Sequence, residues 1–217
     1  MFIIVMGVSG SGKTTVGLAL ARALGCPFYD GDDYHPPANI AKMAAGVPLN
    51  DDDRAGWLAA LADIIRASLA RGEQGVIACS ALKHKYRATL RSAASRAEQV
   101  RFVYLKGSYS TILARMQSRQ GHYMQPGMLQ SQFDALEEPI NAVVVDITLE
   151  PEEVVRQILA QLMEQIHESQ PTDRAQAPDY RPDTAHTAGV GATATTNGPA
   201  QPAPRPRAGR PTDRSDE

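Results

Sequence analysis

A glycine-rich segment near the start of the chain places the tightest constraint on what it can fold into. Gly7-Val-Ser-Gly-Ser-Gly-Lys-Thr14 matches the pattern G-x-x-x-x-G-K-[ST] at every defined position. The apolar run Phe2–Val5 precedes it, and an amphipathic helical pattern over Lys13–Leu24 follows it. A glycine turn that binds nothing would not require this strand and helix on either side. The sequence therefore predicts a phosphate-binding loop for a nucleoside triphosphate.

Strand-like runs alternate with helical patterns over the next 150 or so residues, roughly one ordinary domain. The predicted strands are Phe2–Val5, Phe28–Asp30, Gly75–Cys79, Val100–Leu105 and Ala142–Ile147. The clearest helices are Lys13–Leu24, Asp53–Arg71 and Pro151–His167. Three of the runs, Val143–Val145 among them, are continuously apolar, which predicts strands buried on both faces. This alternation predicts a three-layer α/β/α domain around a parallel sheet.

Composition changes near Ser169. The segment from Gln170 to Glu217 has no Leu, Ile, Phe, Met or Trp and is rich in proline, so it cannot bury enough apolar area to fold. We expect a domain at residues 1–168 and a disordered tail at 169–217.

Bulk properties exclude several classes of protein. The net charge of −2 gives no field that would attract nucleic acid, and no apolar run is long enough to span a membrane. Two cysteines in 217 residues do not form a disulfide framework. We therefore expect a cytoplasmic protein with no nucleic-acid partner and no membrane partner.

The loop supplies the predicted nucleotide contacts. They come from Gly7, Val8, Ser9, Gly10, Ser11, Gly12, Lys13, Thr14 and Thr15. Lys13 should reach the β and γ phosphates, and Thr14 should be a ligand of Mg²⁺. The loop thus predicts a bound nucleoside triphosphate together with Mg²⁺.

An acidic turn, Asp30-Gly-Asp-Asp-Tyr-His-Pro36, follows the second predicted strand. Ligands of an open parallel sheet bind at the carboxyl ends of its strands, so Asp32 should lie near the phosphate loop. There it could help to hold Mg²⁺ through water or accept a proton from an attacking hydroxyl. The alternative is a turn that only caps a helix, and for Asp30 the sequence leaves the choice open.

Cations in two other places point to an anionic substrate. Arg54 follows three aspartates in the first turn of a predicted helix, where the helix dipole disfavours a cation. Lys83 follows the strand Gly75–Cys79, which lacks the acidic residue that holds Mg²⁺ in many related sites. Lys85 is interpreted as a solvated residue at a helix start.

Two arginines precede a segment that contains glycine and proline. Arg115 and Arg119 lie four residues apart on one predicted helix face. A mobile lid at about residues 119–128 would bring Arg119 to the transferring phosphoryl group, while Arg115 would pack on adenine or hold a phosphate. A pair of solvated arginines would fit the same spacing.

Together these motifs closely resemble the gluconokinase family of small kinases, related in fold to shikimate and adenylate kinases. The block Asn39–Arg54 and the run Cys79–Arg87 are more distinctive than the phosphate loop, and the resemblance covers about residues 1–166. The family often has a Lys-Gly-His-Phe type of run where this chain has Arg119-Gln-Gly-His-Tyr123, and the tail has no counterpart.

The resemblance implies an activity and a fold. The activity is ATP-dependent phosphorylation of D-gluconate at its C6 hydroxyl, and the fold is a five-stranded parallel sheet of order 2-3-1-4-5 with a mobile lid. A homodimer is also implied. The implied substrate contacts are Asp32, His35, Arg54, Lys83 and Arg87. In the expected mechanism Lys13 and Arg119 stabilise charge, and Asp32 accepts the hydroxyl proton.

Three alternatives remain open from the sequence. One is another small-metabolite kinase with a shikimate-like acceptor. The second is a GTPase, because Asp53-Arg-Ala-Gly56 formally matches D-x-x-G, although no guanine-specific Asn-Lys-x-Asp run is present. The third is a nucleotide-binding module without catalytic activity.

Overall fold

Five parallel strands form the central sheet of the computed structural model, which describes residues 1–118 and 126–169. The strands are β1 (Phe2–Met6), β2 (Phe28–Asp30), β3 (Gly75–Ala78), β4 (Val100–Lys106) and β5 (Val143–Asp146). Their order across the sheet is β2-β3-β1-β4-β5, and every neighbouring pair is parallel. The predicted sheet and its order 2-3-1-4-5 are confirmed.

Helices connect the strands and cover both faces of the sheet. They are α1 (Lys13–Leu24), α2 (Pro37–Ala44), α3 (Asp51–Ala70), α4 (His84–Arg91), α5 (Tyr109–Ser118), α6 (Pro126–Asp134) and α7 (Pro151–Ser169). Two 3-10 turns, Gly31–Tyr34 and Ala97–Gln99, complete the described elements.

The first strand shows how the sequence produces three layers. Successive side chains of a strand point to opposite faces of the sheet. Ile3 and Val5 accordingly pack into one core with α1 and α7, while Phe2 and Ile4 pack into the other with α3 and α4. The predicted α/β/α architecture is thus confirmed.

Local signals set the ends of two helices. Helix α1 ends at Leu24 because Gly25 adopts a left-handed conformation with φ of 63°. Helix α3 begins at Asp51, two residues before the predicted start, because Asn50 and Asp53 form a reciprocal capping box around its first turn.

The prediction that Val143–Val145 is buried on both faces is wrong. Strand β5 lies at the edge of the sheet, and its residues alternate between buried and exposed, with Val144 43% exposed. A continuous apolar run therefore does not distinguish a central strand from an edge strand.

Contacts divide the chain into two units, Met1–Thr172 and Asp173–Glu217, and the described residues all belong to the first. The tail predicted at 169–217 lies outside the description except for Ser169, which ends α7. Its disorder stays a prediction. Within residues 1–118 and 126–169, no helix combines the length and the apolar character needed to cross a membrane.

Candidate active site

The segment Gly7–Thr14 forms a loop between the end of β1 and the start of α1, as predicted. Gly10 and Gly12 have φ of 80° and 95°, backbone conformations that side chains with a Cβ rarely adopt. Among the described residues, no side chain caps the first turn of α1, and a Cβ at Gly12 would meet none of their atoms within 4 Å. The helix therefore presents N–H groups and its positive dipole end to open space, an arrangement suited to phosphate.

Lys13 lies over this loop. Its ammonium donates a hydrogen bond to the Val8 carbonyl over 3.1 Å, and the side chain is half-buried. Burial lowers the pKa of the Lys13 ammonium, while the nearby carboxylates of Asp32 and Asp30 act against that shift. The predicted phosphate lysine and the acidic turn are therefore neighbours in space.

Asp30, for which the sequence left the role open, contacts the predicted Mg²⁺ ligand directly. Thr14 Oγ1 donates to Asp30 Oδ2 over 2.8 Å, and Asp30 Oδ1 accepts from the Asp32 amide over 3.2 Å. This carboxylate thus caps the 3-10 turn Gly31–Tyr34 and orients the Thr14 hydroxyl at once. The capping that the sequence offered as one alternative is therefore observed for Asp30, and a role in holding Mg²⁺ stays a prediction.

Asp32 and His35 lie on the open side of the same turn. The Asp32 side chain is 81% exposed, and its Oδ1 is 3.9 Å from His35 Nε2. His35 is only 7% exposed and stacks on Trp57, with ring centroids 4.3 Å apart. Burial lowers the pKa of His35, and Arg54 adds to that shift while Asp32 opposes it. A neutral imidazole therefore lies between an acid and a cation.

Three cations surround the Tyr86 ring and define what we call the cation cluster: Arg54, Lys83 and Lys85. Their charged groups lie 5.8, 5.7 and 6.0 Å from the ring centroid. Asp51 accepts hydrogen bonds from Lys83 over 2.9 Å and Lys85 over 2.6 Å, and from the Tyr86 hydroxyl. Lys85 is exposed at the start of α4, as interpreted, and it also forms an ion pair with Asp51.

Arg54 differs from its neighbours in the cluster. Among residues 1–118 and 126–169 it forms no ion pair, whereas the two lysines share the Asp51 carboxylate. One carboxylate against three cations leaves the cluster with a net positive charge. The structure therefore places an available guanidinium where the sequence predicted a contact to an anionic substrate.

Arg87, which was predicted to contact substrate, is buried and bonded to backbone carbonyls. It is 5% exposed, and its Nη1 donates to the carbonyls of Ala81 and Leu82 over 3.0 and 2.8 Å. Ala81 has a φ of 43°, which is unusual for a residue with a Cβ. Arg87 thus supports the tight turn that precedes Lys83, and a direct contact to substrate stays untested.

A small cavity of about 90 Å³ adjoins the loop on the side of α5. Ser11, Gly12 and Thr15 line it from the loop, and Arg115 lines it from α5. Arg115 also donates to the Ile147 carbonyl. The predicted nucleotide residues Thr15 and Arg115 therefore share one cavity. Arg119 and most of the predicted lid lie outside the described residues.

Two residues after the lid segment reach the site without having been predicted. Gln132 Oε1, on α6, accepts a hydrogen bond from the Ser9 amide over 2.7 Å. Glu137 accepts one from the His84 amide, and its own amide donates to the Leu82 carbonyl over 3.0 Å. Nothing in the local pattern around either residue signals these contacts.

Mg²⁺ fits the donors at the loop only together with phosphate oxygens. Within the described part of the chain, no three His, Cys, Asp or Glu side chains converge as a metal site. The Thr14 hydroxyl, which is already oriented by Asp30, offers one oxygen ligand. Oxygen is the type of ligand that Mg²⁺ prefers. Such a site holds the ion with substrate phosphates and water rather than with a protein cage.

Comparisons with known proteins place this geometry in a family. The family model described as shikimate kinase matches residues 9–163. The thermosensitive gluconokinase of Escherichia coli is 51% identical over 136 residues, which are 63% of this chain and 71% of that protein. A probable gluconokinase of Mus musculus is 50% identical over 151 residues and is covered to 82% of its length. The chain belongs to the gluconokinase family.

A solved gluconokinase extends the likeness to the fold. The crystal structure of a gluconokinase from Sinorhizobium meliloti superposes with a TM-score of 0.70 at 47% identity, covering 76% of this chain and 93% of that one. As a gluconokinase-family member, the chain is a kinase, and the resemblance drawn from its motifs is confirmed. The roles of individual site residues stay predictions.

Proposed function

We propose that this chain transfers the γ-phosphoryl group of ATP to the C6 hydroxyl of D-gluconate, giving 6-phospho-D-gluconate and ADP. The observation that carries the proposal is the convergence of three features in a gluconokinase-family chain: an uncapped phosphate loop, an acidic turn and a net-positive cation cluster. A small polyol with a single carboxylate matches that combination of groups.

The nucleotide contacts follow from the loop. The amides of Gly10–Thr14 and the Lys13 ammonium would hold the β and γ phosphates, and the cavity beside Arg115 would receive the base or a phosphate. Thr14, oriented by Asp30, would supply the protein ligand of Mg²⁺. The ion would neutralise charge on the phosphate oxygens during transfer.

The acceptor contacts follow from the acidic turn and the cation cluster. Arg54 is proposed to bind the gluconate carboxylate, with Lys83 beside it. Asp32 would form hydrogen bonds with hydroxyls of gluconate, with the predicted substrate residue His35 beside it. Asp32 lies near Lys13, and Arg54 lies near His35. A short extended substrate would therefore place its reacting hydroxyl at Asp32 and its carboxylate at Arg54.

The transfer step requires no covalent enzyme intermediate. The C6 oxygen forms a bond to the γ phosphorus while the bond to the β–γ bridging oxygen breaks, and ADP leaves with that electron pair. Asp32 is proposed to orient the hydroxyl and to accept its proton late in the step. Arg119, outside the described residues, stays the predicted source of charge stabilisation from the lid. Positioning and electrostatics supply most of the catalysis in reactions of this type.

An acceptor panel tests the proposal. ADP release is measured with D-gluconate, other sugar acids and shikimate, and phosphorus NMR of the product identifies the phosphorylated carbon. We expect the highest kcat/KM with D-gluconate and a phosphate ester at C6. Faster turnover of shikimate would favour the other activity that the matched family description names.

A lysine variant tests the phosphate loop separately. Lys13→Ala is expected to remove turnover, whereas Lys106→Ala, which removes a surface lysine paired with Glu138, should not. Turnover by Lys13→Ala at the wild-type rate would contradict the scheme. The homodimer implied by the family resemblance and the cytoplasmic location expected from the composition stay predictions.

A further inference from the structure

A buried amide lies behind the acceptor side of the proposed site. Asn39, on α2, is 3% exposed, and its Nδ2 donates to the Asp53 carbonyl over 2.7 Å. A carbonyl oxygen accepts only a donor, so this contact fixes which end of the amide is nitrogen. The orientation of the Asn39 side chain is therefore determined by α3.

The second proton of Asn39 Nδ2 determines the tautomer of His35. Asn39 Nδ2 is 3.4 Å from His35 Nδ1. Because the amide nitrogen can only donate, Nδ1 must accept, and a proton on Nδ1 would face another N–H group. The contact thus selects the neutral imidazole with its proton on Nε2, the nitrogen 3.9 Å from Asp32 Oδ1.

Other groups around His35 hold the ring in place and set the charges that act on it. Trp57 stacks on the imidazole at 15° and is itself held by a 2.6 Å hydrogen bond from its Nε1 to the Gly31 carbonyl. The charged groups that act on the ring are Asp32 from its own turn and Arg54 from α3. On α2 and α3, Lys42 and Asp53 pair with each other over 2.6 Å.

We propose that Asn39 is a positioning residue, which holds His35 as the neutral Nε2–H tautomer so that this N–H orients the Asp32 carboxylate toward the acceptor hydroxyl. The part that concerns Asp32 rests on the proposed function. The Asp32 side chain is exposed, so a small rotation brings its carboxylate into hydrogen-bond distance of the imidazole. At low pH, a proton on His35 Nδ1 would face the Asn39 N–H and disrupt this arrangement. Turnover should therefore fall as pH decreases, and this fall is the acid limb of its pH profile.

The first measurement is independent of activity. Long-range nitrogen–proton NMR of the full chain, labelled with nitrogen-15 histidine, distinguishes the two tautomers and the imidazolium, and His35→Gln assigns the signals. We expect the Nε2–H tautomer of His35 at neutral pH. An Nδ1–H tautomer or an imidazolium would overturn the inference. This spectrum of the wild-type chain gives its answer whether or not any variant folds and whether or not gluconate is the acceptor.

The second measurement uses a change of charge at Asn39. Asn39→Asp places an acceptor opposite Nδ1, which favours a proton there and should move the acid limb of kcat to higher pH by about one to three units. The limb is followed with whichever acceptor is turned over fastest. Asn50→Asp is the matched control, since it makes the same change at the cap of α3. An acid limb that Asn39→Asp leaves unchanged would overturn the inference.

A third variant removes the donor without adding charge. Asn39→Ala is expected to leave His35 as a mixture of tautomers and to lower kcat more than it raises KM. If the NMR result holds while gluconate is not phosphorylated, the proposed function fails and the selection of the tautomer stands. A single Nε2–H tautomer that persists in Asn39→Ala would show that Asn39 does not select it.

Discussion

Thr14 Oγ1 donates its hydrogen bond to Asp30 Oδ2 over 2.8 Å, which joins the first turn of α1 to the end of β2. With its proton committed to Asp30, the hydroxyl directs its lone pairs away from that carboxylate. A lone pair is what a cation requires of this oxygen, so Asp30 acts on the proposed Mg²⁺ site through Thr14.

Asp30→Asn is therefore expected to lower the apparent affinity for Mg²⁺ in turnover. The amide is a weaker acceptor for the Thr14 hydroxyl than the carboxylate is, so the Mg²⁺ concentration for half-maximal turnover should rise about 10-fold. The measurement is a titration of turnover with Mg²⁺ at saturating substrates. Asp33→Asn, which changes an exposed carboxylate in the same turn, is the control. Equal titrations for both variants would contradict the role of Asp30.

Arg54 is expected to determine affinity for the acceptor. Arg54→Ala removes the cation of the cluster that has no ion pair within the described residues, so KM for D-gluconate should rise about 10- to 100-fold while KM for ATP changes little. Arg66→Ala is the matched control, because Arg66 lies on the same helix and pairs with the exposed Asp63. Initial rates at varied gluconate give the comparison, and a normal KM in Arg54→Ala would place the carboxylate elsewhere.

Arg87→Ala is expected to lower stability more than affinity. The change removes a buried donor from the carbonyls of Ala81 and Leu82, of which Leu82 keeps only the Glu137 amide, at a cost of about 1–3 kcal/mol in the free energy of unfolding. Urea unfolding measures that loss, with Arg91→Ala on the same helix for comparison. A large rise in KM for gluconate at normal stability would instead support the substrate contact inferred from family resemblance.

The Asp51 carboxylate should make the free energy of unfolding depend on pH in the acidic range. Hydrogen bonds from Lys85 and Tyr86 hold the pKa of Asp51 well below its usual value of 3.8. A carboxylate whose pKa is depressed in the folded state contributes stability above the unfolded value, and this contribution is lost as pH falls through the folded value. The difference in unfolding free energy between the wild type and Asp51→Asn should therefore be largest at neutral pH and shrink below about pH 4.

Its neighbour supplies the control for that experiment. Asp52→Asn removes an exposed carboxylate in the same helical turn and is the matched control for the loss of a charge there. If the Asp51→Asn difference stayed constant down to strongly acidic pH, the hydrogen bonds to Lys85 and Tyr86 would not be formed in solution.

The sequence predicted the elements of the fold well because their signals are local. Apolar runs and helical periodicity located the five strands, and Gly25 fixed the end of α1. The phosphate loop was equally predictable, since its glycines and Lys13 all lie within the short segment Gly7–Thr14.

The contacts that join elements were not predictable in the same way. Thr14 and Asp30 are 16 positions apart, and Ser9 and Gln132 are 123 apart, so the order of the strands brings them together. Arg87 shows the same limit. Its charge suggested a ligand, but its side chain is turned toward backbone carbonyls by the turn at Ala81.

The central position of β1 has a consequence for how the chain is made. Phe2–Met6 is wholly buried and pairs with β3 and β4, whose last residue is Lys106. At about 5–20 residues per second, a ribosome needs about 5–20 s to synthesise the roughly 100 residues between them. An entirely apolar strand has neither partner until β3 has been made, and it lacks its partner on the other side until β4 follows. The nascent chain should therefore depend on chaperones until β4 has emerged, and a ribosome stalled before that point should release an aggregation-prone fragment.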